Sequence, residues 1–154
     1  MKSLIICISV HHGNTERVAR AMAEVLGAEV VKPHQVEVEG LSNYDLIGFG
    51  SGIHFQRHHR AILGLVKKLP VLEGKKAFIF STRGVGPVVL YHKPLRKKLL
   101  KRKLEVIGEF SCKGFNTVGP LKLFGGMNRG RPNEEDLEEA KAFAERLKAE
   151  IEGG

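Results

Sequence analysis

The chain has 154 residues, with 25 Lys and Arg against 17 Asp and Glu, a formal charge of +8 with His neutral. One domain with a sizeable core is expected from that length, and 42% hydrophobic with 27% charged residues excludes disordered, collagen-like and disulfide-scaffold chains. No apolar run approaches the ~20 residues of a spanning helix, residues 1–8 are apolar too briefly for a signal peptide, and two Cys are too few for a disulfide framework, so a reducing, cytoplasmic setting is expected.

Residues 3–10 (SLIICISV) form a nearly continuous Ile-rich run, the pattern of a central strand buried on both faces. Gly13-Asn14-Thr15 follows, then a helical stripe of Val18, Met22, Val25 and Leu26, stopped by Gly27. Residues 28–32 are a second short strand, and residues 33–43 a polar connection. A third strand over residues 44–50 ends in Gly50-Ser51-Gly52. Ile62, Leu65, Val66 and Leu69 have helical spacing, and Pro70 closes that helix. Residues 76–82 (KAFIFST) are a fourth strand, followed by Arg83-Gly84-Val85-Gly86-Pro87. Pro94 suits the first turn of a helix, which runs on through Leu95, Leu99 and Leu100 toward the sheet. Residues 104–112 are a fifth strand. The last helix starts near Pro132-Asn133, with acids in its first turn and a stripe of Leu137, Ala140, Ala144, Leu147 and Ile151.

Five strands alternating with helices imply an α/β fold, a parallel sheet with helices on both faces, in a single domain over residues 1–154. Residues 116–133 hold six Gly or Pro and show no periodicity, which marks a functional or mobile connection. Charge is uneven. Residues 134–152 carry eight acids and three bases, net −5, which leaves +13 for the remainder. Residues 91–103 hold seven bases and no acid. Such asymmetry suggests an anionic partner, although a charge run is more often a solvated helix face.

Ligands of open parallel sheets bind outside the carboxyl ends of the strands, where strand order reverses. Residues 9–15, 50–58 and 81–87 leave those ends, and all three loops are rich in Gly, Ser, Thr or His. The first joins an apolar strand directly to a helix start. Unpaired N–H groups and the helix dipole there suit a phosphate. Asn14 or Thr15 capping the helix is the alternative.

Gly-Asn-Thr after the first strand, with two further loops feeding the same edge, resembles the flavodoxin family. The resemblance covers almost the whole chain, including Gly126-Met127-Asn128-Arg129-Gly130-Arg131-Pro132-Asn133 before the last helix. It implies a doubly wound five-stranded parallel sheet in the order 2-1-3-4-5, FMN as cofactor, and electron transfer as function. Ser9, His11, His12, Gly13, Asn14 and Thr15 then match the phosphate loop, with Val10, His11 and His12 where the family usually has hydroxyl residues. The expected replacement is an imidazole N–H from at least one of the two His, and a neighbouring dianion raises a His pKa because the charged form gains a partner; His12 in solvent with backbone donors sufficing is the alternative. Ser51, Gly52, Ile53, His54 and Phe55 match the first loop flanking the flavin. Ile53, His54 or Phe55 is the candidate to stack on the ring, with Phe55 equally readable as a core residue. Ser81, Thr82, Arg83, Gly84 and Gly86 match the loop at the pyrimidine edge. No aromatic lies between Ser81 and Leu90, which leaves Tyr91 as the nearest candidate second stacking partner. Flavodoxins are typically acidic around the flavin. Arg83 and His54 therefore imply a less reducing flavin in this chain.

Other signals are weaker. His54 and His58 have a zinc-like separation, but no acid lies between Asp45 and Glu73, so no metal is expected. His34 and His92 have no constellation. Cys7 and Cys112 fall on strands one and five, about 14 Å apart in that order, and read as core thiols. The basic segment 93–103 lacks the interleaved aromatics of a nucleic-acid site. An acidic, ferredoxin-like redox partner fits it better, with a membrane surface second. No acid–base dyad or activated nucleophile is evident, which favours a carrier over an enzyme. The rivals are a flavin-dependent oxidoreductase, since residues 43–68 are also similar to flavodoxin-type protoporphyrinogen oxidases, and a cofactor-free binding module on the same fold.

Overall fold

The computed structural model describes residues 1–10, 13–84, 86–114 and 130–153. The N-terminal apolar run forms β1 (Ser3–Ile8) and is buried, because the sheet covers it on two sides and helices on the other two. There follow α1 (Asn14–Leu26), β2 (Glu29–Val31), two 3₁₀ turns (Pro33–Gln35 and Val38–Asn43) in the polar connection, β3 (Leu46–His54) and β4 (Arg57–His58). The chain continues through α2 (Arg60–Lys68), β5 (Lys76–Arg83), α3 (Val88–Lys101), β6 (Glu105–Lys113) and α4 (Glu134–Gly153). Among these helices none is long and apolar enough to cross a membrane.

The main sheet runs β2-β1-β3-β5-β6, all parallel. This is the doubly wound order expected, with one addition. The two-residue β4 folds back antiparallel on the end of β3, pairing Ile53 with His58 and His54 with Arg57. The turn between them is Phe55-Gln56, both left-handed at φ 52° and 66°. Such a turn is usually Asn-Gly or Asp-Gly, so nothing in the composition announces it.

Three other expectations are corrected. β3 runs on to His54, so Ser51, Gly52, Ile53 and His54 are strand residues rather than a loop. α3 begins at Val88, not at Pro94, which sits inside it. The proline ring cannot donate to the carbonyl of Leu90, and Leu90 lies on an exposed turn where water can take that place. Leu100 is 52% exposed, while Leu95 and Leu99 face the sheet.

Alternation along β1 splits the core. Ile6 joins Phe49, Ile62, Val66, Leu95 and Leu99 between the sheet and α2/α3. Ile5 joins Met22, Phe78, Phe80, Phe143 and Leu147 between the sheet and α1/α4. Gly48 and Gly50 pair in register with Phe78 and Phe80, and each phenyl ring folds over the glycine beside it, in space a Cβ would need. Cys7 and Cys112 are free and buried, and burial pushes each thiol up to about 12, so both are core thiols. α4 starts on a reciprocal cap: Asn133 Oδ1 accepts from the Asp136 N–H, and Asp136 Oδ2 from the Asn133 N–H, both at 2.8 Å. Arg131 closes the cap with a bidentate pair to Asp136.

Candidate functional site

β1, β3 and β5 release their chains at one edge, and an open cleft with about 400 Å³ of empty space lies there. Val10, Asn14 and Thr15 form one wall, Gly52, Ile53 and His54 of β3 a second, and Thr82, Arg83 and Gly84 a third. Gly114, just past β6, closes the remaining side; its N–H donates to the Arg83 carbonyl at 2.9 Å. Gly114 was not among the expected site residues. A lone glycine after a strand is the only trace it leaves in the sequence.

The first wall is the start of α1. Gly13 supplies the left-handed N-cap, φ 64°, and no side chain caps the helix. Asn14 and Thr15 are thus its first two residues rather than its cap, and both are buried. Thr15 Oγ1 bonds Thr82 Oγ1 at 2.8 Å, which ties α1 to β5 across the cleft floor. The helix dipole there is positive toward the cleft. The buried Ser9 Oγ has no hydrogen-bond partner among the described residues. His11 and His12 lie outside the described residues, as do Val85 and most of the 116–133 connection.

On the second wall, Ser51 is engaged elsewhere: its hydroxyl donates to the Gly52 carbonyl at 2.7 Å and accepts from the His59 N–H at 2.9 Å. Gly52, Ile53 and His54 face the cleft. Phe55 is no core residue; at the hairpin tip it is 95% exposed. On the third wall, Thr82 and Gly84 line the cleft, while Gly86, at φ 124°, lies against the Tyr91 hydroxyl and ring. Arg83 is the telling residue. Its Nε and Nη1 are buried and have no acceptor among the described residues.

Ser81 points the other way, into a buried row that the sequence does not reveal. His92 Nδ1 donates to Glu109 Oε1 at 2.9 Å, and Arg96 holds the same carboxylate through two bonds of 2.7 Å. Burial pushes His92 down and keeps it neutral, so its Nε2 accepts from the Ser81 hydroxyl at 2.7 Å. Ser81 in turn meets Ser111 at 2.8 Å. His58 packs its ring 4.9 Å from that of His92 and donates Nε2–H to the Phe80 carbonyl at 2.9 Å. Burial, then the neighbouring His92, push His58 down to about 3. Burial works to raise Glu109, but the bonds from Arg96 and His92 overcome it and hold the carboxyl below its ordinary range. No group of three or more metal-ligating side chains occurs among the described residues.

A family model described as a flavodoxin domain matches residues 5–114, from β1 through the last cleft residue. The chain belongs to the flavodoxin domain family. An uncharacterised protein of Methanocaldococcus jannaschii is 47% identical over 148 residues, which cover 96% of this chain and 98% of the relative. Among solved structures, oxidised flavodoxin 2 from Bacillus cereus matches with a TM-score of 0.70 at 19% identity, over 97% of this chain and 99% of that one. The Fusobacterium nucleatum flavodoxin bound to flavin mononucleotide matches with a TM-score of 0.66 at 12% identity, over 97% and 99%. At those identities the structures establish the fold. The flavodoxin match stops before the 126–133 stretch, which therefore stands only as a sequence resemblance.

Proposed function

We propose that this flavodoxin-family chain binds FMN in the cleft and works as an electron carrier between redox partners. The observation that carries this reading is Arg83. A guanidinium with two buried N–H groups that meet no acceptor among the described residues is costly unless one completes it, and the cleft it lines is where we place that acceptor. The buried Ser9 hydroxyl, at the end of β1 and without a partner among the described residues, asks for the same. A phosphate at the start of α1 and a ring bearing carbonyl oxygens and ring nitrogens would answer both.

Ser9, Gly13, Asn14 and Thr15 would hold the phosphate, with His11 and His12 supplying further donors. Ile53 and His54 would bound the ring on one side, and Thr82, Arg83, Gly84 and Gly114 on the other. FMN would supply reversible electron transfer, while the chain would set its binding and potential. The nearest approach to hydrolytic machinery, Ser81 with His92 and Glu109, is sealed: Ser81 and His92 are fully buried, so no substrate reaches them.

The test is the visible spectrum of the purified protein, followed by titration of the apo-protein into FMN. Flavin absorption and stoichiometric fluorescence quenching are expected. A colourless protein that leaves FMN fluorescence unchanged contradicts the reading. The double variant His11→Ala/His12→Ala is expected to weaken FMN affinity, and unchanged affinity would remove the two His from the phosphate site.

A further inference from the structure

The two helical layers carry opposite charge. α2 and α3 together hold eight Lys or Arg and no acid. α4, on the other face of the sheet, holds eight acids and three bases. Within α3, Arg96 is paired with Glu109. Lys93, Lys97 and Lys101 are different. They recur every fourth residue, so they share one stripe of the helix. All three are exposed, and none meets a carboxylate among the described residues. One turn earlier on α3 stand Val89 and Leu90, 70% and 60% exposed.

The hairpin tip joins them. β4 packs on α3 through the rings of His58 and His92, so the hairpin that carries Phe55 lies on the α3 side of the sheet edge. Phe55 follows His54, a cleft residue, and α3 follows the loop of Arg83 and Gly84, two more. Exposed apolar side chains thus lie on both elements that leave the cleft on this side, with a basic stripe running away from it along α3. Apolar centre and charged rim is the anatomy of a transient docking face.

We propose that this face, Phe55, Val89 and Leu90 with the Lys93, Lys97 and Lys101 stripe, docks an acidic redox protein whose own apolar centre is rimmed by carboxylates. The proposal deepens the electron-carrier reading, since docking there brings the partner to the cleft mouth. A membrane surface fits less well: Leu95 and Leu99 are buried against the sheet, which leaves α3 without a continuous apolar face to insert. Nucleic acid fits less well still, with Phe55 the one exposed aromatic among the described residues for stacking.

The probe is an acidic [2Fe–2S] ferredoxin. Its docking on the ¹⁵N-labelled protein is read by chemical-shift mapping, which needs no flavin. Perturbations at Phe55, Leu90, Lys93 and Lys97 are expected, lost on raising NaCl toward ~0.3 M, where screening shortens to a few ångströms. With FMN loaded, as verified by its spectrum, reduction by the reduced ferredoxin is expected to be about tenfold slower in Lys93→Glu/Lys97→Glu at low salt, and nearly equal to wild type at high salt. Phe55→Ser is expected to slow reduction at both, because apolar contact is not screened. Absent perturbations, perturbations centred on α4, salt-independent rates, or sedimentation with POPC/POPG vesicles that Phe55→Ser abolishes would each overturn the proposal. Failure to load FMN with intact docking shifts would count against the cofactor reading and leave the docking face standing.

Discussion

Arg83 concentrates the chemistry of the cleft in one side chain. Its guanidinium is fixed in a wall by the strand that carries it, and two of its nitrogens have no acceptor among the described residues. A cation beside a flavin stabilises the reduced, more negative form. At roughly 7 Å and an effective dielectric of about 20–40, one charge contributes about 1–2 kcal/mol, which for a one-electron couple is about 50–100 mV. Arg83→Gln is therefore expected to lower the midpoint potential of the FMN-loaded protein by tens of millivolts, measured by potentiometry; a rise would refute the assignment. His58 and His92 act on stability instead. His58 titrates at 6.5 when unfolded and at about 3 in the fold, where it faces the Phe80 carbonyl, His92 and Glu109. His92, facing Glu109, Arg96 and Arg83, is lowered too. Below 6.5 the unfolded chain takes up protons that the folded chain refuses. Stability is then full above that value and falls as pH drops, by about 1.4 kcal/mol per pH unit for His58, with His92 acting in the same direction. The lowered Glu109 acts in the same direction, its contribution lost as pH falls through its folded value. Urea midpoints should fall from pH 7 to about 5, and His58→Gln should shallow the slope by close to one proton; a flat wild-type profile would contradict this.

At the scale of elements, most of the fold was legible because apolar runs and stripes report burial directly. The Ile-rich first strand, the Gly27 stop and the alternation of five strands with helices rest on such patterns, whereas the strand order came from the flavodoxin resemblance. What escaped rests on contacts between elements. The β3–β4 hairpin turns on Phe55-Gln56, residues with no turn chemistry, and is held by His58 reaching Phe80 from across the sheet. α3 starts six residues before Pro94 because Leu90 lies on the solvent side. His92 showed no constellation in the sequence since Ser81, His58, Glu109 and Arg96 meet it from four elements. The cleft residues Asn14, Thr15, Gly52 and Arg83 were legible from strand-end placement, whereas the inward turn of Ser51 and Ser81 was not. Gly48 and Gly50 make an element-scale prediction. Phe78 and Phe80 occupy the space of their missing side chains. Gly50→Ala must displace the Phe80 ring, and a loss of about 1–3 kcal/mol or more is expected by denaturant titration; a neutral substitution would contradict the packing described.

Across the whole molecule, charge follows architecture. The +8 of the sequence resolves into a basic α2/α3 layer and an acidic α4 on opposite faces of one sheet. The cleft opens at the edge between them, with Arg83 in its wall and the basic stripe beside its mouth. That arrangement makes an anionic ligand in the cleft and an acidic protein outside it two consequences of the same asymmetry. Everything downstream depends on the ligand. The most direct measurement is a fluorescence titration of FMN with the apo-protein, run in parallel with Arg83→Gln. Stoichiometric quenching by wild type, with weaker binding by the variant, is the predicted result. FMN fluorescence unaffected by a folded wild-type protein would contradict it.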